Sequence, residues 1–374
     1  MRRAAATVLL ALCGSAIAPA GAASARAWPA LDGFVQRHVS ADGRVVDPID
    51  DRRVTTSEGQ AYALFLALVA DDRPLFDRLL RWTHDNLAAG DLASRLPAWR
   101  WGRHDDGQWR VLDDNAAADA DLWLAWTLLE AGERWQERGY RVLGKSLAAR
   151  LLREETADLP GLGLTLLPAP AGFVLAPDRW RLNPAYLPSW LPLRLADTDP
   201  AHRAEWQALA ETGQRLVIGS AGHGYAPDWI VYDAGRGFVA DEASRAIGSY
   251  DAIRTYLWAG LLPAGARREA QLAALHGMAG HDLPPRQVSP ADGRHDGDGP
   301  TGFAAALLPY RLALGDRDGA ARLRRHVDAA GWPLEGYYDS VLTLFGTGAA
   351  DGRYCFDAGG RLRLGPEEGC AVSP

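Results

Sequence analysis

The sequence predicts an all-α protein of about twelve helices with small β-hairpin decorations. Two observations carry this prediction. Helix-length apolar segments follow one another with short polar breaks, and Pro, Asp or Ser stands at many of their starts. The Ala and Leu content of these segments favours helix over strand.

Taken in order, candidate helices lie near residues 28–38, 58–70, 74–87, 116–131, 136–152 and 184–195. Six more lie near 202–220, 250–261, 264–279, 303–314, 317–330 and 338–345. Two stretches, 162–175 and 229–239, carry β-type patterns broken by Pro170-Ala171-Gly172 and by Ala234-Gly235-Arg236-Gly237, and read as hairpins. The Gly- and Asp-rich stretch 289–302 reads as a long surface loop. A dozen helices with short connections suggest antiparallel pairs around one core. Periodicity does not choose between a closed ring, a solenoid and a bundle. No Pro/Gly/Ser linker or charge run divides residues 24–374, which read as one domain with a C-terminal tail from about residue 350.

Residues 1–23 read as a secretion signal. Arg2 and Arg3 form a charged start, residues 8–17 an apolar stretch too short to span a bilayer, and Ala18 to Ala23 a small-residue cleavage region. The expected location is therefore periplasmic or secreted, with no membrane anchor. Cys13 follows Leu12, not the small residue that lipid attachment prefers. Cleavage removes two arginines and takes the net charge from −7 to −9. That balance argues against nucleic acid or an anionic membrane surface as partner, since both need clustered Lys and Arg.

Of three cysteines, Cys355 and Cys370 remain in the tail. An oxidising compartment permits a bridge worth about 3 kcal/mol in the loop-entropy model; two free thiols are the other reading. No Cys/His cluster has metal-ligand spacing and no Gly-rich loop suits a phosphate, so no metal or cofactor is expected. His295, between Asp292 and Asp296, reads as solvated.

Three acidic sites stand out. Glu58 follows Ser57, and Ser57-Glu58-Gly59-Gln60 fits a capping box with Ser57 as N-cap and Gln60 reaching back. An acid here can simply complement the helix dipole, for about 0.3–1 kcal/mol. Yet residues 61–70 are almost wholly apolar, so Glu58 opens a buried helix at the rim of a core. The dipole favours the ionised form, so a proton-donating Glu58 needs burial or a neighbouring carboxylate such as Asp119. The second site is Asp119-Ala120-Asp121, preceded by the possible caps Asp114 and Asn115. Its two acids are about 200° apart around a helix and face different ways. Asp119 shares a face with Asn115, Trp123 and Trp126, and either acid could be a plain first-turn carboxylate. The third is Asp251 with Arg254, spaced i,i+3, where a guanidinium would hold a carboxylate ionised as a general base requires; a helix salt bridge is the plainer account.

The 14 Trp and 11 Tyr suggest a substrate. Trp99, Trp101 and Trp109 lie between the first two acidic sites, and Trp180, Tyr186, Trp190, Tyr225 and Trp229 follow them. Flat amphipathic rings suit the apolar faces of sugars, although each can equally fill a core. Acids interleaved with tryptophans on a secreted acidic chain suit polysaccharide hydrolysis by two carboxyl groups.

Five motifs then occur in order: Thr56-Ser57-Glu58-Gly59-Gln60-Ala61-Tyr62, Trp99-Arg100-Trp101-Gly102, Asp119-Ala120-Asp121-Leu122-Trp123, Asn183-Pro184-Ala185-Tyr186 and Tyr250-Asp251-Ala252-Ile253-Arg254. On them the chain resembles glycoside hydrolase family 8 from about Trp28 to Tyr338. The resemblance implies an (α/α)6 barrel and cleavage of β-1,4-glucans with inversion. It assigns the proton donor to Glu58, a water- and sugar-supporting role to Asp119, and the general base to Asp251. Ala118 departs from the Ser or Thr usual before the Asp-x-Asp signature. The position of the base varies between subgroups of the family.

The expected reaction is a single displacement, with carboxyls about 6.5–9.5 Å apart. Expected sugar contacts are Trp99, Trp101, Trp109, Trp180, Tyr186, Tyr250 and Arg254. The partner is a β-1,4-glucan met by a monomer, and the resemblance extends to a functional link with a cellulose synthase complex. Xylan, chitosan or mixed-linkage glucan remain alternative substrates, and a non-catalytic glucan-binding export factor is the alternative of another class.

Overall fold

The computed structural model describes residues 27–371 apart from residue 333; the expected secretion signal lies outside the described residues. Twelve α-helices are formed among them. These are α1 (Pro29–His38), α2 (Ser57–Val69), α3 (Arg73–Trp82), α4 (Ala118–Arg134), α5 (Arg138–Glu154), α6 (Trp190–Thr198), α7 (Arg203–Ser220), α8 (Ala252–Leu261), α9 (Ala266–Ala274), α10 (Thr301–Ala313), α11 (Arg317–Ala329) and α12 (Tyr337–Ala350).

The helices alternate in character along the chain. In α2, 12 of 13 residues are buried, and in α4 burial is unbroken from Ala118 to Gly132. A helix apolar on all sides must be covered on all sides. By contrast α3 buries only the stripe Leu75, Phe76, Leu79 and Trp82, and α11 only Gly319, Ala320, Leu323 and Val327. One such face can cover a neighbour while the other meets water. Contacts follow this division. Helix α12 packs on α2 and α10, α2 on α4, α4 on α6, and α8 on α10. Trp190 of α6 meets Trp258 of α8 edge to face at 5.9 Å and closes an inner ring of six. Each inner helix carries an outer one: α3 on α2, α5 on α4, α7 on α6, α9 on α8, α11 on α10 and α1 on α12. The architecture is the (α/α)6 barrel.

Thirteen short strands among the described residues decorate it. Strands β1 (Thr55–Thr56), β2 (Arg100–Arg103) and β3 (Trp109–Asp113) form one antiparallel sheet in that order. Strands β4 (Thr156–Leu159) and β5 (Gly163–Leu166) form a hairpin. Strands β6 (Val174–Ala176), β7 (Arg179–Leu182), β8 (Ile230–Asp233) and β9 (Gly237–Ala240) form a four-stranded sheet. The remaining hairpins are β10 (Pro285–Val288) with β11 (His295–Asp298), and β12 (Tyr354–Phe356) with β13 (Leu362–Leu364).

Several expectations need correction. The 162–175 stretch is divided between two sheets, because β5 turns back on β4 while β6 pairs with β7. The 229–239 hairpin is present as β8–β9. The supposed loop 289–302 contains β11, which pairs with β10 although its residues are exposed. The helix expected from 184 begins only at Trp190. The capping box is absent. Thr56 is the N-cap and accepts from Gly59 N at 3.0 Å, while Gln60 is buried and binds Val45 N, Gly43 O, Leu79 O and Thr83. Neither Asp114 nor Asn115 caps α4, whose N-cap is Ala117.

Eight of the 14 tryptophans are buried, so most serve the core. Trp123, Trp126, Trp190, Trp258, Phe65 and Phe345 pack down the barrel axis with ring centroids mostly 5–6.5 Å apart, and such aromatic pairs add about 0.5–1.5 kcal/mol each beyond their area burial. The β12–β13 hairpin plugs the end where the inner helices terminate. Phe356 stacks on Trp190 at 4.7 Å, and Trp126 Nε1 donates to Gly360 O at 3.0 Å. Gly360 has φ +77°, and a Cβ there would lie 2.0 Å from Trp190 O, so only glycine lets this turn enter. Cys355 and Cys370 are disulfide-bonded and tie the tail to this plug.

Candidate active site

The opposite end of the barrel gathers the first turns of the inner helices. Glu58 comes from α2, Asp119 from α4, Arg254 from α8 and Tyr337 from α12, with Asp251 at the N-cap of α8. Glu58 is the one residue of α2 that is not fully buried. The start of α2 is fixed from outside: Thr55 and Thr56 pair with Trp101 and Arg100, and Ser57 N donates to Trp99 O at 3.0 Å. Gly59 leaves room for the Tyr337 ring, which would stand 3.1 Å from a Cβ at that position.

Arg254 is the centre of the group and is 2% exposed. Its Nη1 donates to Glu58 Oε2 at 2.5 Å, Asp119 Oδ2 at 2.8 Å and the Tyr62 hydroxyl at 3.0 Å. Its Nη2 donates to Asp251 Oδ1 at 2.5 Å. The expected i,i+3 pair is therefore present, but one guanidinium also holds two carboxylates from other helices. The rings of Tyr186 and Tyr338 flank it, with centroids 5.5 and 6.0 Å from the guanidinium carbon. Tyr337 donates its hydroxyl to Glu58 Oε1 at 2.6 Å.

These contacts set the proton affinities. Burial pushes the Glu58 carboxyl up to about 7; Arg254 opposes this, the negative charge of Asp119 adds to it, and the Tyr337 hydrogen bond pulls back. Asp119 is also raised by burial against the same guanidinium. The side chains of Glu58 and Asp251 are 19% and 29% exposed, whereas that of Asp119 is 4% exposed. Both Asp119 oxygens are occupied, Oδ1 by Ala120 N at 2.9 Å and Oδ2 by Arg254.

Behind Asp119 lies a second acidic pair. Asp121 and the buried Glu155 hydrogen-bond to each other, and their four carboxyl oxygens meet no donor from any other described residue. Burial raises both well above the ordinary carboxylate value, with the charge of Asp119 adding to the rise at Asp121 and that of Asp121 at Glu155.

The expected sugar contacts separate into groups. Trp99 lines a recess of about 370 Å³ beside Glu58, with Asp47, Asp50, Thr56, Gly59, Arg100 and Tyr337. Trp101 is occupied by the protein itself: it meets Trp82 edge-on at 5.4 Å, stacks with Trp109 at 5.4 Å and has the Arg44 guanidinium 4.3 Å away. Trp109 is 46% exposed. Tyr186 stands beside Arg254 and contacts Trp229, which stacks on Phe173 at 5.6 Å. Tyr250 is exposed at the rim and packs edge-on against Phe303. Trp180 is not brought to the site. It is 7% exposed, in a small cluster with Leu159, Leu182, Leu216 and Ile230, on the inward-facing side of β7. Arg254 is buried among acids, away from the open cleft.

The model for glycosyl hydrolases family 8 matches residues 4–352. The chain belongs to glycosyl hydrolase family 8. It is a glycoside hydrolase, and several relatives are similar over almost their whole length. An endoglucanase of Escherichia coli (strain K12) is 44% identical over 352 residues, covering 92% of this chain and 93% of the relative. One of Xanthomonas axonopodis pv. citri (strain 306) is 44% identical over 360 residues, covering 93% of each. Among solved structures, an endo-1,4-D-glucanase from Vibrio fischeri ES114 superposes with a TM-score of 0.83 at 39% identity, covering 90% of this chain and 99% of that one.

Sequence reasoning missed Tyr62 and Tyr337 as parts of the site. Tyr62 lies within a quoted motif one turn after Glu58, which is the helical spacing at which it could have been found. Nothing local marks Tyr337, which reaches Glu58 from 279 residues away.

Proposed function

We propose that the chain is an endo-β-1,4-glucanase that cleaves by single displacement, with Glu58 as general acid and Asp251 as general base. The observation that carries this reading is the division of one guanidinium between two solvent-reaching carboxyls. Glu58, pushed up to about 7, keeps its proton at mildly acidic pH, which suits a group that protonates a departing glycosidic oxygen. Asp251 keeps one oxygen on Arg254, and its side chain is 29% exposed, so the carboxyl reaches solvent water. The two acids bind different nitrogens of Arg254, and single displacement requires their carboxyls to stand about 6.5–9.5 Å apart with water between them.

Asp119 is the other candidate base, and its environment speaks against that role. It is almost fully covered, with both oxygens engaged. Its charge instead holds Arg254 and raises the proton affinity of Glu58. Arg254 acts as a positioning residue for all three acids. The recess lined by Trp99 and Tyr337, the exposed ring of Trp109 and the Tyr186 side of the cleft are the surfaces offered to flanking glucose units. The relatives named endoglucanase favour a β-1,4-glucan over xylan or chitosan.

The same reading includes an N-terminal signal cleaved near Ala23, a periplasmic or secreted mature enzyme of one catalytic domain acting as a monomer, and a functional link to bacterial cellulose synthesis. Release of reducing ends from carboxymethyl-cellulose tests the enzyme reading against a glucan-binding export factor. Wild type is expected to release them and Glu58→Gln to bind glucan without doing so. Equal behaviour of the two proteins would end the assignment.

A further inference from the structure

Asp251 owes its backbone position to a residue outside its own helix. Helix α8 has no side-chain cap of its own, since the Asp251 carboxyl is turned to Arg254. The open N–H groups at its start are taken by Asp228, from the loop between α7 and β8. A single oxygen, Asp228 Oδ1, accepts from Ser249 N at 2.7 Å, Ala252 N at 2.8 Å and Asp251 N at 3.1 Å. The lacing runs both ways, because Asp228 N donates to Ile247 O at 2.8 Å. A carboxylate that gathers three N–H groups in this way does the work of an N-cap from another segment.

The loop that carries Asp228 is itself clamped. The next residue, Trp229, stacks on Phe173 at 5.6 Å, meets Tyr186 at 5.7 Å and has the Arg181 guanidinium 4.3 Å above its ring. Two residues earlier, Ala226 N donates to the Tyr256 hydroxyl at 2.9 Å. On the other side of the turn, Gly248 exchanges hydrogen bonds with Val288 at 2.8 and 2.9 Å, and Ser249 Oγ donates to Arg286 O at 2.9 Å. Asp228 thus joins two anchored segments at the point where Asp251 leaves the chain. The arrangement sets two acids side by side: burial and the Asp251 charge push Asp228 up to about 6, against the pull of its three N–H donors.

We propose that Asp228 is a positioning residue for hydrolysis, capping α8 from the neighbouring loop so that the Asp251 carboxyl is held at one reach from the attacking water. The inference rests on the reading of Asp251 as the base. Asp228 acts through the backbone of Asp251 and is not assigned a contact with substrate. Loss of the cap therefore acts on turnover and leaves glucan binding in place.

The test is steady-state kinetics on a soluble cello-oligosaccharide for wild type, Asp228→Ala, Asp228→Asn and Asp251→Asn, with circular dichroism melts to count folded enzyme. Asp228→Ala is expected to lower kcat by roughly 10²-fold at unchanged KM, the scale of a misplacement of about 1 Å. Asp228→Asn keeps an acceptor oxygen and is expected to restore most of that loss. If Asp228→Ala does not fold, Asp228→Ser, whose acceptor is one bond shorter, takes its place with the same expected fall in kcat. Wild-type kcat per folded molecule in the Ala or Ser variant overturns the proposal. So does an Asp228→Asn variant as inactive as Asp251→Asn, since that makes Asp228 a reacting group. If Asp251→Asn itself turns over normally, the base reading fails; if it is inactive while Asp228→Ala is normal, only the present inference fails.

Discussion

Glu58 and Arg254 form a 2.5 Å ion pair whose surroundings oppose it. Burial and the Asp119 charge favour a protonated Glu58, while the guanidinium and the Tyr337 hydroxyl favour the anion. The balance falls at about 7, where small changes in any one contact alter the fraction of enzyme carrying the proton. The first turn of α2, which on its own would stabilise the anion, is outweighed by the environment of the barrel mouth.

The first prediction concerns pH. If Glu58 must be protonated, kcat/KM falls on the alkaline side with an apparent pKa of about 7. Tyr337→Phe removes a hydrogen bond that favours the charged form, so its alkaline limb should move to higher pH. A limb that stays in place or moves to lower pH contradicts the assigned role of Tyr337.

Arg254→Met should remove the common counter-charge of Glu58, Asp119 and Asp251. Breaking a buried ion pair by deleting one partner costs about 3–5 kcal/mol, so a clear fall in Tm is expected together with near-complete loss of turnover. Arg254→Lys keeps a charge but cannot present two separate nitrogens, and should recover stability better than activity. A lysine variant with wild-type kcat would show that a point charge suffices.

Much of the fold was legible because burial leaves a pattern. The apolar-all-round segments at residues 58–70 and 116–131 are inner helices, and the striped segments between them are outer ones. Ring closure was not legible, since it depends on contacts such as Trp190 with Trp258 between distant segments. Within the site, Glu58, Asp119 and Asp251 could be proposed one by one from their place at the heads of apolar helices. That they share one arginine could not, because Glu58 and Arg254 are 196 residues apart. Gln60 looked like a capping residue, but its amide is used by four buried groups of other segments. Trp180 looked like a sugar platform because nothing local says which side of a short strand faces the core. Arg179 beside it points outward and Trp180 inward.

The Asp121–Glu155 pair makes a prediction about stability. Both carboxyls bind protons more tightly folded than unfolded, so their contribution is fully present below about pH 4 and is lost as pH rises towards their raised folded values. Glu155→Gln supplies a permanent N–H donor to Asp121. Its Tm should therefore decline less than that of wild type between pH 5 and pH 8, as followed by circular dichroism. Parallel declines would mean that the pair is not holding protons.

Reduction of the Cys355–Cys370 bridge should lower stability by about 3 kcal/mol, the scale for closing a loop of this length. The bridge lies at the plugged end of the barrel, away from Arg254. Cys370→Ser should accordingly lose Tm while kcat at 25 °C stays at the wild-type value; a large fall in kcat with folded enzyme would show coupling between the two ends.

The most direct test of the mechanism is proton NMR of the first products released from a β-1,4-linked cello-oligosaccharide, before the anomers equilibrate. With Glu58 protonating the leaving oxygen and Asp251 activating water on the opposite face, the newly formed reducing end appears first as the α-anomer. Initial appearance of the β-anomer would contradict single displacement, and with it the assignment of Asp251 as base.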